Sequence, residues 1–484
     1  MQVENDLLVR CALLLPLANS RTVMESQDIV IDGGVIKAIR KAGSFDQKQF
    51  KTFIDAPRGL AVPGFVNAHT HSPAALSKGS FDRLDHPNFM WRNQADTANR
   101  NPEQIYVSTL LSALEMLKSG TTAVIDNFPE QNFGIEDVEA AVQAYRDIGM
   151  RASIALRIFD QDYTDIIPRD SSSLPQDLRD FLAASPLSPR PMAATLDLCE
   201  KAILRWHSKN EGLINIMLAP SAPLRCSESF LRGIGEMAEA YNTGVHTHLL
   251  ETRLQVEISQ EKYGSTLVAY LDSVGLLNER LSCAHCIWFS KDDIRMFAES
   301  GAMVVHNPVS NLRLGDGLAP IIDMVRSGVT VALGTDGFST NDNGNLFEEL
   351  KLAAILHRCS GHPKSEWISD EEALRMATHG GAAALLQKEK LGSLAVGKRA
   401  DLAIYDLDAI SFTPLNDPVS QLVFCENGHS VRTVIVDGRV VIADGHLAGM
   451  NEEDILERAR RAGQEIKKTN TALYSFADRL NPYL

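Results

Sequence analysis

The chain has 484 residues, of which 44% are hydrophobic and 23% charged, an ordinary globular balance with apolar material for a large core. Its net charge of −15, from 62 acidic and 47 basic side chains, argues against nucleic acid, whose phosphates need concentrated Lys and Arg, and against an anionic membrane surface. Seven scattered cysteines without a disulfide framework, an acidic start (Met1-Gln2-Val3-Glu4-Asn5-Asp6) where a signal peptide would be basic, and the lack of an apolar run of about 18 residues make a cytoplasmic protein the expectation.

Residues 1–61 read as short strands. Ile29-Val30-Ile31, the turn Asp32-Gly33-Gly34 and Val35-Ile36 have the pattern of a β-hairpin. Over 62–390 short β-rich runs alternate with helical stretches. Strands are expected to end near His71, Asp126, Phe159, Pro220, Leu249, Ile287, Asn307 and Asp336. Periodic segments such as Pro102–Lys118, Glu136–Ile148, Ser227–Tyr241 and Asp292–Glu299 lie between them. Eight strands separated by helices is the count of a (β/α)8 TIM barrel, an α/β fold. The interval Asp160–Leu213 is long, and its Ser/Pro-rich stretch Ser171–Pro191 reads as an inserted loop, a candidate lid. Residues 391–450 are β-like again. With 1–61 they are expected to form a small β-sandwich built from both chain ends. Residues 451–484 read as a closing helical segment.

The chemistry-bearing residues fall at the expected strand ends. His69 and His71 alternate with Thr70, so both point to one side of a strand. At the C-terminal end of a first barrel strand they face the active-site mouth, and paired imidazoles suit zinc or ferrous iron. Strand five ends in His246-Thr247-His248-Leu249-Leu250-Glu251. His248 is the candidate third ligand, with His246 one layer deeper, and Glu251 is the candidate acid/base. His285 ends strand six, His306-Asn307 and Ser310-Asn311 follow strand seven, and Asp336 ends strand eight, where a carboxylate can bind a metal and accept a proton from water. Cys283-Ala-His-Cys286 lies in a strand-like run, where an offset of three puts the thiols on opposite faces and excludes a shared site.

These strings together resemble the amidohydrolase superfamily, in the aminohydrolase branch that holds methylthioadenosine/S-adenosylhomocysteine deaminases and atrazine chlorohydrolase. The likeness rests on Pro63-Gly64-Phe65-Val66-Asn67-Ala68-His69-Thr70-His71, His248-x-x-Glu251, His285, His306-Asn307-Pro308-x-Ser310-Asn311, Gly334-Thr335-Asp336 and Gly397-Lys398-Arg399-Ala400-Asp401-Leu402, spread over essentially the whole chain. The resemblance implies that His69, His71, His248 and Asp336 hold the metal while Glu251, His285 and Asp336 act on the reactants. Two-metal relatives place a carboxylated lysine at the end of strand four. Here Met217–Pro223 has no lysine, so one divalent ion per subunit is expected, zinc before iron.

Such an ion lowers the pKa of water from about 15.7 to about 7 and supplies hydroxide for attack on a ring carbon that bears an amino group. The resemblance therefore implies a hydrolytic deaminase of a small N-heterocycle (purine, pyrimidine or triazine), with homo-oligomeric assembly. An amide, urea or carbamate hydrolase of the same fold and a non-catalytic barrel are the alternatives. Expected substrate contacts are Trp91, as a wall over the ring or as packing, Arg157, for an anionic group or a salt bridge, and His306 and Asn311, which shape the pocket or hold supporting hydrogen bonds. After His71 the chain reads Ser72-Pro73-Ala74-Ala75 where deaminases of this branch carry a Met and a Leu-Leu-Arg-Gly string, a departure that bears on substrate and not on the metal.

Overall fold

The computed structural model describes residues 5–129, 133–167, 171–183, 189–209 and 212–484. The N-terminal strands are β1 (Asn5–Leu14), β2 (Met24–Asp32), β3 (Val35–Lys41) and β4 (Phe50–Pro63). Then come β5 (Phe65–His71), β6 (Thr121–Phe128), β7 (Arg151–Ile158), β8 (Ile214–Pro220), β9 (Val245–Leu249), β10 (Leu281–His285), β11 (Met303–His306), β12 (Thr330–Leu333) and β13 (Asp336–Gly337). The last four are β14 (Leu402–Asp406), β15 (Val431–Val436), β16 (Arg439–Ala443) and β17 (His446–Leu447).

Strands β5 to β12 lie side by side in chain order, and β13 pairs with β5, so the sheet closes on itself. β13 is the continuation of the eighth strand after two residues. Its parallel register sets Asp336 against Thr70 and Gly337 against His71. Helices cover the outside, so these strands are buried on both faces, as a parallel sheet requires. Small and branched side chains, among them Val66, Ala68, Ile125, Ala155 and Val305, fill the barrel interior. Local chemistry starts the helices where periodicity placed them. Asn101 caps Pro102–Lys118 through a reciprocal capping box with Gln104, and Ser227 caps Glu228–Ala240.

The two chain ends form one continuous eight-stranded sheet, in the order β17-β16-β15-β14-β4-β1-β2-β3, around a core of its own. The string Gly397–Ala400 ties the β2–β3 hairpin to the β15–β16 turn. Gly397 N and Ile36 N bond to Ile36 O and Lys398 O, Ala400 N bonds to Gly34 O, and Gly438 N bonds to Ala400 O. Asp401 then ties this sheet to the barrel. Arg151, at the start of β7, is 1% exposed and bonds both Asp401 oxygens at 2.8 and 3.0 Å and Asp437 at 2.8 Å. The closing segment is two helices, Glu452–Thr469 and Thr471–Leu480, divided at Asn470, whose side-chain amide bonds the Ala95 and Ala98 carbonyls.

The long interval between β7 and β8 holds an ordinary barrel helix, Met192–Trp206, preceded by an insertion that includes the helix Gln176–Ala183. The insertion packs Phe181 face to face on Phe476 of the closing helix. Residues 1–4 of the acidic start, and 168–170, 184–188 and 210–211 of the Asp160–Leu213 interval, lie outside the described residues.

Candidate functional site

The site grows out of barrel closure. β5 delivers His69 and His71 on one face, β9 delivers His248, and the β13–β5 register brings Asp336 between the two β5 histidines. Four side chains sharing a tetrahedral ion at bonds of about 2.1 Å would have donor atoms about 3.4 Å apart. The observed separations are 3.1 Å from His69 Nε2 and 3.3 Å from His71 Nε2 to Asp336 Oδ1, and 3.4 Å between His71 Nε2 and His248 Nε2. These three edges fit a zinc-type ion.

The protonation of the group also fits. Burial pulls His69 down to about 4 despite Asp336, and burial with the neighbouring imidazoles holds His248 well below its ordinary range. Neutral rings keep lone pairs for a cation. His248 Nδ1 donates to the Ser221 carbonyl at 2.7 Å, which leaves Nε2 as the acceptor atom facing the cluster. His69 Nδ1 lies 2.8 Å from His246 Nε2, and His246 Nδ1 lies 2.7 Å from Ser282 Oγ. Thus His246 sits one layer below the ligand plane and supports His69. Ser310 and Thr340 hydroxyls donate to Asp336 Oδ2 at 2.5 and 3.2 Å, turning Oδ1 toward the histidines.

Glu251 and His285 stand beside this group. His285 Nε2 is 3.6 Å from Glu251 Oε1, and its Nδ1 is 2.9 Å from Asn311 Oδ1. Burial would raise the Glu251 carboxyl, but the charges of His285 and His86 outweigh it and bring the carboxyl to about 2. Leu250, His285, Cys286 and Asp336 all have left-handed backbone, with φ of 50°, 74°, 51° and 60°. Strain of this kind in branched and bulky residues concentrates at functional sites.

A cavity with an empty volume of about 410 Å³ opens over these groups, lined by His71, His248, Glu251, His285 and Asp336 together with His86, Phe89, Met90, Arg157 and Arg225. Arg157 is on this wall, its Nε donating to Ser221 Oγ at 3.1 Å. Asn311 sits behind His285 and holds its ring. Trp91 and His306 are not on the wall. Trp91 Nε1 donates to the Ile166 carbonyl at 2.8 Å and the ring meets Phe476 edge-on at 5.4 Å, so it fastens the insertion to the closing helix. The preceding turn of that helix, through His86, Phe89 and Met90, supplies the wall instead. His306 is buried with Nε2 3.4 Å from His357 Nε2.

Sequence reasoning missed His86, Arg225, Asp165 and Asp316. Arg225 is fully buried against Asp165, with bonds of 3.0 and 2.6 Å. His86 opens a helix capped by Asp85, and its Nδ1 is 3.3 Å from Glu251 Oε1. The Asp85-His86-Pro87 run signals a helix start but gives no hint of the partner across the cavity.

Residues 60–441 match the amidohydrolase family. Among characterised relatives, the 5'-deoxyadenosine deaminase of Methanosarcina acetivorans is 33% identical over 95% of this chain and 98% of its own length. Among solved structures, an adenosine deaminase from Xanthomonas campestris with bound zinc superposes with a TM-score of 0.84 at 29% identity, covering 96% of this chain and 99% of that one. Atrazine chlorohydrolase from Arthrobacter aurescens TC1, complexed with zinc, superposes with a TM-score of 0.83 at 26% identity, covering 94% and 100%. Among the described residues, no helix is long and apolar enough to cross a membrane.

Proposed function

The chain belongs to the amidohydrolase family, and from that premise we propose that it is a metal-dependent aminohydrolase that replaces an exocyclic amino group on a small N-heterocycle with oxygen. The observation that carries this reading is that His69 Nε2 and His71 Nε2 stand 3.1 and 3.3 Å from Asp336 Oδ1 and His71 Nε2 stands 3.4 Å from His248 Nε2, with Glu251 and His285 lining the same cavity. One divalent ion held there, zinc as in the two solved relatives, supplies Lewis acidity and hydroxide at neutral pH.

In this reading Asp336 is ligand and proton acceptor for the attacking water. Its Oδ2 stays fixed by Ser310 and Thr340 while Oδ1 faces the reaction. Glu251 carries protons to the ring nitrogen beside the attacked carbon and to the departing amine. A carboxyl held ionised by its neighbours must first collect the proton it delivers, and burial beneath a bound ring, which displaces water from the cavity, favours that uptake. His285, braced by Asn311, steadies the oxygen that develops negative charge. The products are an oxo-substituted ring and ammonia. Arg157 contributes to binding from the cavity wall.

We take 62–390 as the catalytic barrel, flanked by 1–61 and 391–450 as the terminal β unit and by 451–484 as the closing helices, in a cytoplasmic homodimer or larger assembly. The test is elemental analysis of the purified protein together with an ammonia-release screen over aminopurines, aminopyrimidines and aminotriazines. A zinc-loaded sample that releases neither ammonia nor a substituted amine from any of them overturns the reading. Mass spectrometry of products separates it from amide, urea or carbamate cleavage.

A further inference from the structure

A second group of ligand-type side chains stands next to the first and is not used by it. His86, Glu251 and Asp316 each offer one atom, and these atoms lie within 4.8 Å of one another. They come from separate places in the fold: the start of the helix His86–Thr97, the residues after β9, and the loop after the helix Pro308–Leu314. His86 is 4% exposed; its Nδ1 is paired with Glu251 Oε1, and its Nε2 has no hydrogen-bond partner. The Asp316 Oδ2 is likewise buried with no hydrogen-bond partner. Buried polar atoms are nearly always satisfied, so the open His86 Nε2 and Asp316 Oδ2 show that this cluster keeps unused bonding capacity. The 3.3 Å separation of His86 Nδ1 and Glu251 Oε1 matches the edge of a tetrahedron with bonds of about 2.0–2.1 Å. One imidazole and two carboxylates form a donor set for a zinc-type divalent cation.

We propose that His86, Glu251 and Asp316 form a second divalent-cation site, weaker than the first, whose filling immobilises Glu251 and shuts off turnover. The binding stands on the geometry of these three residues alone. The loss of turnover rests on the role given to Glu251 above. The second site is weaker because it has three protein ligands against four, and because a cation in the first site would repel another bound beside Glu251, which lies 3.6 Å from His285.

The test is equilibrium dialysis of the full-length chain against graded free Zn²⁺, with bound zinc read by elemental analysis. The unaltered chain is expected to fill one tight site and then a weaker one. Asp316→Asn, at a half-buried position off the cavity wall, is expected to weaken only the second step by roughly tenfold or more. His86→Ala is expected to remove that step, and His71→Ala to lose the tight step while keeping the weaker one. A chain that saturates with a single zinc overturns the proposal, and so does a second zinc indifferent to both Asp316→Asn and His86→Ala. Where a substrate is found, excess zinc is expected to slow ammonia release at the concentration that fills the second site, and Asp316→Asn is expected to shift that concentration upward. Should no heterocycle be turned over, the dialysis still decides the binding claim, so the two readings fail separately.

Discussion

Replacing His246 by Ala tests how the barrel tunes its metal ligand without touching the metal. His246 links His69 Nδ1, 2.8 Å away, to Ser282 Oγ, 2.7 Å away, and Ser282 in turn faces the Val245 carbonyl at 3.4 Å. Read as a run of donors, His69 Nδ1–H gives to His246 Nε2, His246 Nδ1–H gives to Ser282 Oγ, and the hydroxyl gives to the carbonyl. That arrangement leaves the lone pair of His69 on Nε2, the atom that would hold the proposed ion. His69 and His246 are both fully buried. Removing the second ring strands the Nδ1–H of the first, a penalty of about 1–3 kcal/mol. It also frees the ring to turn or change tautomer. The expected result is a loss of zinc affinity of about 10–100-fold, or about 1.4–2.7 kcal/mol. Competition against a chromophoric zinc chelator near neutral pH measures it, with thermal unfolding of the metal-free chain as the check on folding. His246→Gln, whose amide oxygen can accept the same bond, is expected to recover part of the loss. Zinc affinities within twofold of the unaltered chain for both variants would refute the coupling.

Glu251→Gln is expected to cut turnover by about 10²–10⁴-fold while the tightly bound zinc stays unchanged, since Glu251 moves protons and lies outside the His69, His71, His248 and Asp336 set; loss of the tight zinc instead would make it a ligand of that set. Asp336→Ala is expected to lose both the tightly bound zinc and activity, read by elemental analysis and ammonia release. Arg151→Ala leaves the buried Asp401 without its cation, while Asp437 keeps Arg399, and is expected to destabilise the fold by about 3–5 kcal/mol in denaturant unfolding, with zinc stoichiometry intact. His86 is a pH probe: burial works against its charge, but Glu251 wins and raises it to about 9 from an ordinary 6.5. A raised pKa stabilises the fold fully below about 6.5 and loses that contribution as pH climbs through about 9. The difference in melting temperature between the metal-free chain and its His86→Gln variant is therefore expected to shrink over that window, and a gap that widens instead would reverse the assignment.

The strand-borne part of the site could be read from residue order because a strand has only two faces. His69 and His71 share a face whatever else the fold does, and the string after β9 puts Glu251 just past His248 by the same arithmetic. Barrel closure was legible in the count of eight runs, yet the interruption of the eighth at Gly334-Thr335 was not. The final element is two residues long and exists only because β5 lies ready to pair with it. The terminal β segments were legible as strands and hairpins, while their joining into one sheet depends on β14 pairing with β4, strands far apart in the chain.

What resisted reading is the wall of the cavity, and the reason is physical. Trp91 and His86 sit on one helix, five residues apart, and either could face the ligand. The choice is made by what covers the other side. Phe476 and the Ile166 carbonyl, from a closing helix and an insertion with no periodic tie to residue 91, capture the indole through its ring and its N–H. The helix is thereby rotated so that His86, Phe89 and Met90 meet the metal group. Arg225 follows the same logic, since its place beside Arg157 is held by Asp165 in the insertion. The β-strands thus position the groups that resemble those of other amidohydrolases, while the insertion and the C-terminal helix decide which side chains line the cavity. Exchanging residues on that outer layer, at Phe476 or Ile166, should therefore change which heterocycle is accepted before it changes whether zinc is held.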